Sequence, residues 1–167
     1  MSHGGLSKIY YGLTLVPTLA LLDCDLEMNI GKQIGRFGIT TSRGPPAPQL
    51  DETVLELFEV KPGFAGIGAA AIIYMYVDPS YRKRGIGELA LEIIAAIQTV
   101  QGSDFTVLVA DDDGSGKLVR WYEECGFVVA PKLQELFGSA DGEYGVAMIR
   151  PTSVRSDIFA VCQIKWW

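Results

Sequence analysis

An unbroken apolar run, AAAIIYMYV (69–77), passes through DPSYRKR into the glycine turn GIG (85–87) and then directly into an amphipathic stretch. No other segment restricts the possible folds as much. The run is apolar on both faces, which predicts a central strand covered on two sides. Asp78-Pro79 ends it. Beyond Gly85, residues Ile86, Leu89, Ala90, Ile93, Ile94, Ile97 and Val100 recur at the i, i+3, i+4, i+7 spacing of one buried helical stripe. Gly102 is the stop signal.

The flanking segments extend the pattern. TVLELFEV (53–60) reads as a strand that stops at the Lys61-Pro62-Gly63 turn, and FTVLVA (105–110) as a short, fully apolar strand. A second helix is expected over 115–125, with Leu118, Trp121, Tyr122 and Cys125 on one face and Gly126 closing it. FVVA (127–130) reads as a strand, KLQELFG (132–138) as a helical turn or loop, and YGVAMI (144–149) as a last strand. The order β, β, α, β, α, β, β from residue 53 predicts an α/β (α+β) sheet flanked by helices. Upstream, YYGLTLVPTLALL (10–22) reads as a buried first strand and turn. It has a proline in its middle and acids directly after it, unlike a secretory signal, and it is too short to span a bilayer. Glycines at 31, 35 and 38 and the turn-rich SRGPPAPQ (42–49) make residues 23–50 read as a mobile connection or a disordered loop.

A chain of 167 residues, 49% hydrophobic and 20% charged, is expected to be a single folded domain over 1–167. Residues 1–52 form an N-terminal part of weak pattern, 53–150 the core, and 151–167 a tail ending in Trp166-Trp167. A net charge of −6 argues against general nucleic-acid binding. The odd set Cys24, Cys125 and Cys162 has no metal-ligand spacing and predicts free thiols in a reducing compartment, cytoplasm or an organelle such as a plastid. The lone His3 disfavours a histidine base or a histidine-rich metal site.

Against that acidic background, Arg82, Lys83 and Arg84 stand directly before Gly85 and Gly87. Unpaired amides at a helix start, the helix dipole and glycines without Cβ atoms together form a phosphate seat. Gly85, Gly87 and Ala90 also spell a dinucleotide fingerprint, but there the first glycine follows the strand at once, whereas DPSYRKR intervenes here. DDDGSGKL (111–118) contains Gly-Lys, yet Leu118 occupies the position where a P-loop needs Ser or Thr.

YMYVDPSYRKRGIG (74–87) resembles the acetyl-coenzyme A signature of the GNAT superfamily of N-acetyltransferases, with Arg82, Gly85 and Gly87 at the defining positions. LVRWYEECGF (118–127) resembles the same family's Tyr-bearing helix. The resemblance covers residues 69–150. It implies a mixed central sheet with a splay between the strands near 69–77 and 105–110. It also implies a diphosphate held by the backbone from Arg82 through Lys83, Arg84, Gly85 and Ile86 to Gly87, and a pantetheine arm along Met75, Tyr76 and Val77, with the thioester near Met75. Tyr122 matches the tyrosine that protonates the departing thiolate, and Ser115 stands where the family commonly has a cofactor-binding Asn. Where many members carry a general-base Glu on the strand, this chain has Ile73, so Glu59 or an Asp of 111–113, acting through water, is the alternative.

The resemblance therefore implies direct acetyl transfer from acetyl-CoA to a primary amine on a protein N-terminus, a lysine or a small molecule. No metal, nucleic acid or membrane insertion is expected, and a homodimer or larger assembly is compatible with the tail. The missing Glu and Asn leave a rival: a GNAT-fold subunit of weak or no turnover, serving as a cofactor sensor or structural component.

Overall fold

The computed structural model describes residues 6–16, 19–28, 32–40, 48–58, 67–137 and 145–152. A seven-stranded mixed sheet, in the order β1-β2-β3-β4-β5-β7-β6, forms its frame. The strands are β1 (Leu6–Val16), β2 (Leu19–Met28), β3 (Gln33–Thr40), β4 (Ala69–Val77), β5 (Phe105–Ala110), β6 (Val128–Val129) and β7 (Val146–Pro151). Only β4 and β5 pair in parallel; the other neighbours are antiparallel. The helices are α1 (Pro48–Leu57), α2 (Ile86–Val100) and α3 (Lys117–Glu124), with 3-10 turns at Pro79–Tyr81 and Pro131–Phe137.

The two faces of the sheet carry separate cores. On one, Leu50, Val54 and Phe58 from the α1 segment pack on Phe105, Val107, Ala147 and Ile149, with the Phe58 and Phe105 rings 5.1 Å apart. On the other, Ala90, Leu91 and Ile94 of α2 and Tyr122 of α3 cover Phe37, Ile39, Ile72, Leu108 and Met148. Where burial is described, each face packs its apolar residues against helices.

Several expectations need correction. The stretch 53–60 is not a strand: its first part is α1, and only Phe58 makes a bridge. Pro48 opens the helix at a position where its missing N–H costs nothing, and Leu50, Thr53 and Val54 fall on one buried face while Leu55 is exposed. Apart from Lys32, the described residues of 23–50 are strand or helix. The buried stripe of α2 is Ala90, Leu91, Ile94 and Gln98; Leu89 and Val100 point to solvent, Val100 with 89% of its surface exposed. The strand 69–77 is covered on both faces only in its first half, since Ile73 and Tyr76 are exposed. The Lys61-Pro62-Gly63 turn, Glu59, His3, Cys162 and the tail from residue 153 lie outside the described residues.

Between β3 and β4 the register slips: Gly38 faces Tyr74, but Ile39 faces Ile72, so Ile73 is the extra residue of a β-bulge. Two consequences follow. Alternation reverses, so that Ile72 and Met75, three positions apart, both reach the core under α2 and α3. Pairing with β5 also stops there, at Ile72–Leu108, although β4 continues to Val77 and β5 to Ala110. The two parallel strands thus separate at their C-terminal ends, as the expected splay required.

Candidate functional site

The splay opens beside the start of α2. Its connection from β4 is short and mostly exposed: Asp78, the turn Pro79–Tyr81, then Arg82 to Gly85. Asp78 accepts the amide of Ser80 at 2.8 Å, and the Arg82 amide reaches the Pro79 carbonyl at 3.4 Å. The next helical bond runs from the Leu89 amide to the Gly85 carbonyl at 3.0 Å. Between these, the amides of Lys83, Arg84, Gly85, Ile86, Gly87 and Glu88 find no acceptor among the described residues. Lys83 (φ 60°) and Gly85 (φ 75°) both sit in the left-handed region. Such departures from right-handed geometry bend a run of amides into an anion-binding concavity, and a non-glycine residue held there is strained.

Side chains reinforce this loop. Arg82 donates its Nε to the Val77 carbonyl at 2.9 Å, which ties the loop to the end of β4, and its guanidinium lies 6.0 Å from the Tyr76 ring centre. Arg84 and Lys32 lie over the Tyr81 ring at 5.2 and 4.9 Å. Gly87 is required by packing: a Cβ there would come within 2.9 Å of Cζ2 of Trp121. Trp121 in turn donates its Nε1 to Glu88 at 3.2 Å, so the first turn of α2 and the middle of α3 are locked together.

The expected cofactor residues other than Ser115 lie along the end of β4 and the α2 start. Met75 is half-buried and shares its core with Tyr122. Val77 is half-buried, while Tyr76 is exposed. Tyr122 is buried to 7% exposure, its ring set between Trp121 (4.8 Å) and Phe127 (5.5 Å). Burial, with Cys125 nearby, pushes its phenol pKa up to about 12. The group therefore keeps its proton at any physiological pH. Cys125 is a free, half-buried thiol raised above its ordinary value, again chiefly by burial.

Ser115 lies in the loop before α3. It is exposed, its hydroxyl accepts the Lys117 amide at 3.3 Å, and the helix cap is Gly116. Sequence reasoning grouped Asp112 with Asp111 and Asp113 as candidate bases and did not foresee its bonds to the backbone. Its two oxygens take the amides of Gly114 (2.9 Å), Gly116 (2.8 Å), Leu118 (2.9 Å) and Val119 (3.4 Å). These bonds, that of Gly116 first, hold its carboxyl below the usual range. Asp113 accepts from Ser115 and is lowered likewise. The spacing of Asp112 before the glycines Gly114 and Gly116 was the available signal, as an Asx-type turn.

Arg150 of β7 was also unanticipated. It is nearly buried, donates to the Cys125 carbonyl at 2.8 Å and the Leu91 carbonyl at 3.3 Å, and stacks on Phe127. Among the described residues no group of His, Cys, Asp or Glu side chains is placed to hold a metal ion. No helix among them is long and apolar enough to cross a membrane.

Residues 51–129 match the family model described as the acetyltransferase (GNAT) domain. Solved structures agree on the fold. A GNAT-family acetyltransferase from Staphylococcus aureus Mu50 superposes with a TM-score of 0.52 at 17% identity, over 80% of this chain and 68% of the other. GCN5 from Tetrahymena gives 0.50 at 14% identity, over 81% and 70%. PaiA N-acetyltransferase from Thermoplasma acidophilum, solved in complex with coenzyme A, gives 0.50 at 14%, over 78% and 60%. No curated protein sequence matches the chain.

Proposed function

We propose that this chain, whose residues 51–129 match the acetyltransferase (GNAT) domain model and whose fold is similar to that of solved GNAT structures, moves an acetyl group from acetyl-coenzyme A to a primary amine. The observation that carries this reading is the run of open amides from Lys83 to Glu88 beside three cations, at the mouth of a splayed parallel strand pair. A diphosphate satisfies such a run, and the charge of Arg82, Lys83 and Arg84 favours it over a neutral ligand. The solved coenzyme A complex of PaiA lends the analogy of a bound ligand on the same fold.

In this reading the edge of β4 beyond its last β5 partner, Ile72, pairs with the pantetheine arm, and the bound cosubstrate supplies a thioester whose acyl carbon an amine can attack. Met75 lines that end of the slot. Tyr122, held protonated by burial, donates its proton to the departing sulfur as the new C–N bond forms. The amine gives up a proton in the same process. Ile73 offers no base. Of the three aspartates at the end of β5, Asp112 and Asp113 are engaged with backbone amides, so the exposed Asp111, or Glu59, takes that proton through water. The acceptor is an amine of a protein or a small molecule.

The test is transfer of radiolabelled acetyl from acetyl-coenzyme A to a panel of peptides and small amines, with binding of coenzyme A measured by thermal shift in parallel. Label on any amine, lost in Tyr122→Phe, supports the enzyme. A thermal shift without turnover on any acceptor supports the sensing or structural subunit instead, a reading that Ile73 at the base position favours.

A further inference from the structure

Two helices begin where the splayed strands end, and their N-termini are treated in opposite ways. At α2 the amides from Lys83 to Glu88 are open among the described residues. At α3 a single carboxylate consumes them: Asp112 takes Gly114 and Gly116 on one oxygen and Leu118 and Val119 on the other. Gly116 itself, at φ 69°, contributes no side-chain cap. The carboxylate thus stands in for the N-cap, and it reaches α3 from the last turn of β5.

Tyr122 lies one helical turn beyond Leu118. Its hydroxyl makes no hydrogen bond among the described residues, so no polar partner aims it. Its ring is placed by the path of α3 and by packing between Trp121 and Phe127. The path of α3 is fixed at its two ends. Arg150 holds the C-terminal carbonyl of Cys125, and Asp112 holds the first turn.

We infer that Asp112 is the positioning residue for Tyr122, suspending α3 from the end of β5 so that the phenol lies at the slot, while leaving the anion to the open start of α2. This rests on the assignment of Tyr122 as the proton donor. It assigns Asp112 neither proton transfer nor cofactor contact, and so separates it from Asp111.

The experiment uses the full chain with carbon-13-labelled tyrosine. The ring resonances of Tyr122, assigned by their loss in Tyr122→Phe, are shifted by the two neighbouring aromatic rings and report its placement. Asp112→Asn is expected to move these resonances while those of Tyr74, Tyr76 and Tyr81 stay in place. It is also expected to lower kcat by about tenfold or more, with KM for acetyl-coenzyme A within about twofold of the parent, as a displaced acid should. Asp112→Glu, which keeps the acceptor oxygens, should recover part of both effects. Unmoved Tyr122 resonances would overturn the inference. So would a raised KM with unchanged kcat, which would make Asp112 a cofactor-binding group. Should Asp112→Asn fail to fold, Asp112→Ser, with one acceptor oxygen, is read by the same resonances. If the parent acetylates no amine at all, the resonances decide alone, so failure of the enzyme reading leaves this one testable.

Discussion

Gly87 of α2 backs directly onto the indole of Trp121 in α3, so closely that a Cβ at position 87 would lie 2.9 Å from Cζ2. The indole has little room to yield, because its Nε1 is bonded to Glu88 on the same turn of α2. Gly87→Ala should therefore push the two helices apart and cost about 1–3 kcal/mol, the usual range for overpacking. A drop in Tm measures this. Because the amide of residue 87 belongs to the open run, affinity for coenzyme A should fall as well. Gly85→Ala meets no atom within 4 Å, and its cost comes only from the φ of 75°.

Arg82 holds the loop to β4 through the Val77 carbonyl, and in the proposed reading it adds charge at the rim of the diphosphate seat. Its removal in Arg82→Ala should weaken coenzyme A binding by roughly threefold to tenfold, since the group is exposed and its charge is screened. Isothermal titration at low and high salt should show the difference narrowing as salt rises. A loss that ignores salt would place the contribution of Arg82 in the loop tie rather than in its charge.

Tyr122→Phe removes one oxygen from a ring that is already well packed. Acetyl transfer should fall by about a hundredfold or more, with KM for acetyl-coenzyme A little changed. Stability supplies an independent check. The phenol has a pKa of about 12 in the folded chain and ordinarily about 10. Above the lower value the unfolded chain releases this proton and the folded chain does not, so folding stability falls as pH rises through that window. The loss approaches about 2–3 kcal/mol at its upper end, by the free energy per pKa unit. Denaturant melts across that pH range should show a steeper decline for the parent than for Tyr122→Phe.

Arg150 joins β7 to the end of α3 and to the middle of α2 through two carbonyls, with its guanidinium stacked on Phe127. Burial lowers its pKa, yet it has these acceptors to compensate. Arg150→Ala leaves both carbonyls without their donor and opens a void, and should cost about 2–4 kcal/mol. Urea denaturation reads the change directly. Arg150→Met, which fills the volume but supplies no donor, should restore only part of it.

Much of this architecture is written locally in the chain. The strand at 69–77, its exit through Asp78-Pro79, the glycine start of α2 and the Tyr122 helix closed by Gly126 are each marked by pattern and punctuation within a few residues. What could not be read depends on partners distant in sequence. The bulge at Ile73 leaves no trace in an unbroken apolar run, because it exists only as a register slip against Gly38 and Ile39. The helix α1 was misread because its buried face begins at Leu50, upstream of the stretch taken as a strand, and Val54 and Phe58 complete it only at helical spacing. The face of α2 was rotated from expectation because Leu89 is left to solvent while Gln98 is buried against Thr106. Asp112 looked like one of three equal acids, and only the fold of the turn gives it four amides.

The central claim is that the main-chain nitrogens from Lys83 to Glu88 receive the diphosphate of coenzyme A. Amide nitrogen–proton spectra of the chain, recorded while coenzyme A is added, test it most directly. The account predicts that these six amides show the largest shifts, saturating together with the thermal stabilisation, and that the amides of Leu118 and Val119, already taken by Asp112, move little. Saturable binding that leaves Lys83 to Glu88 in place while shifting amides elsewhere would contradict it.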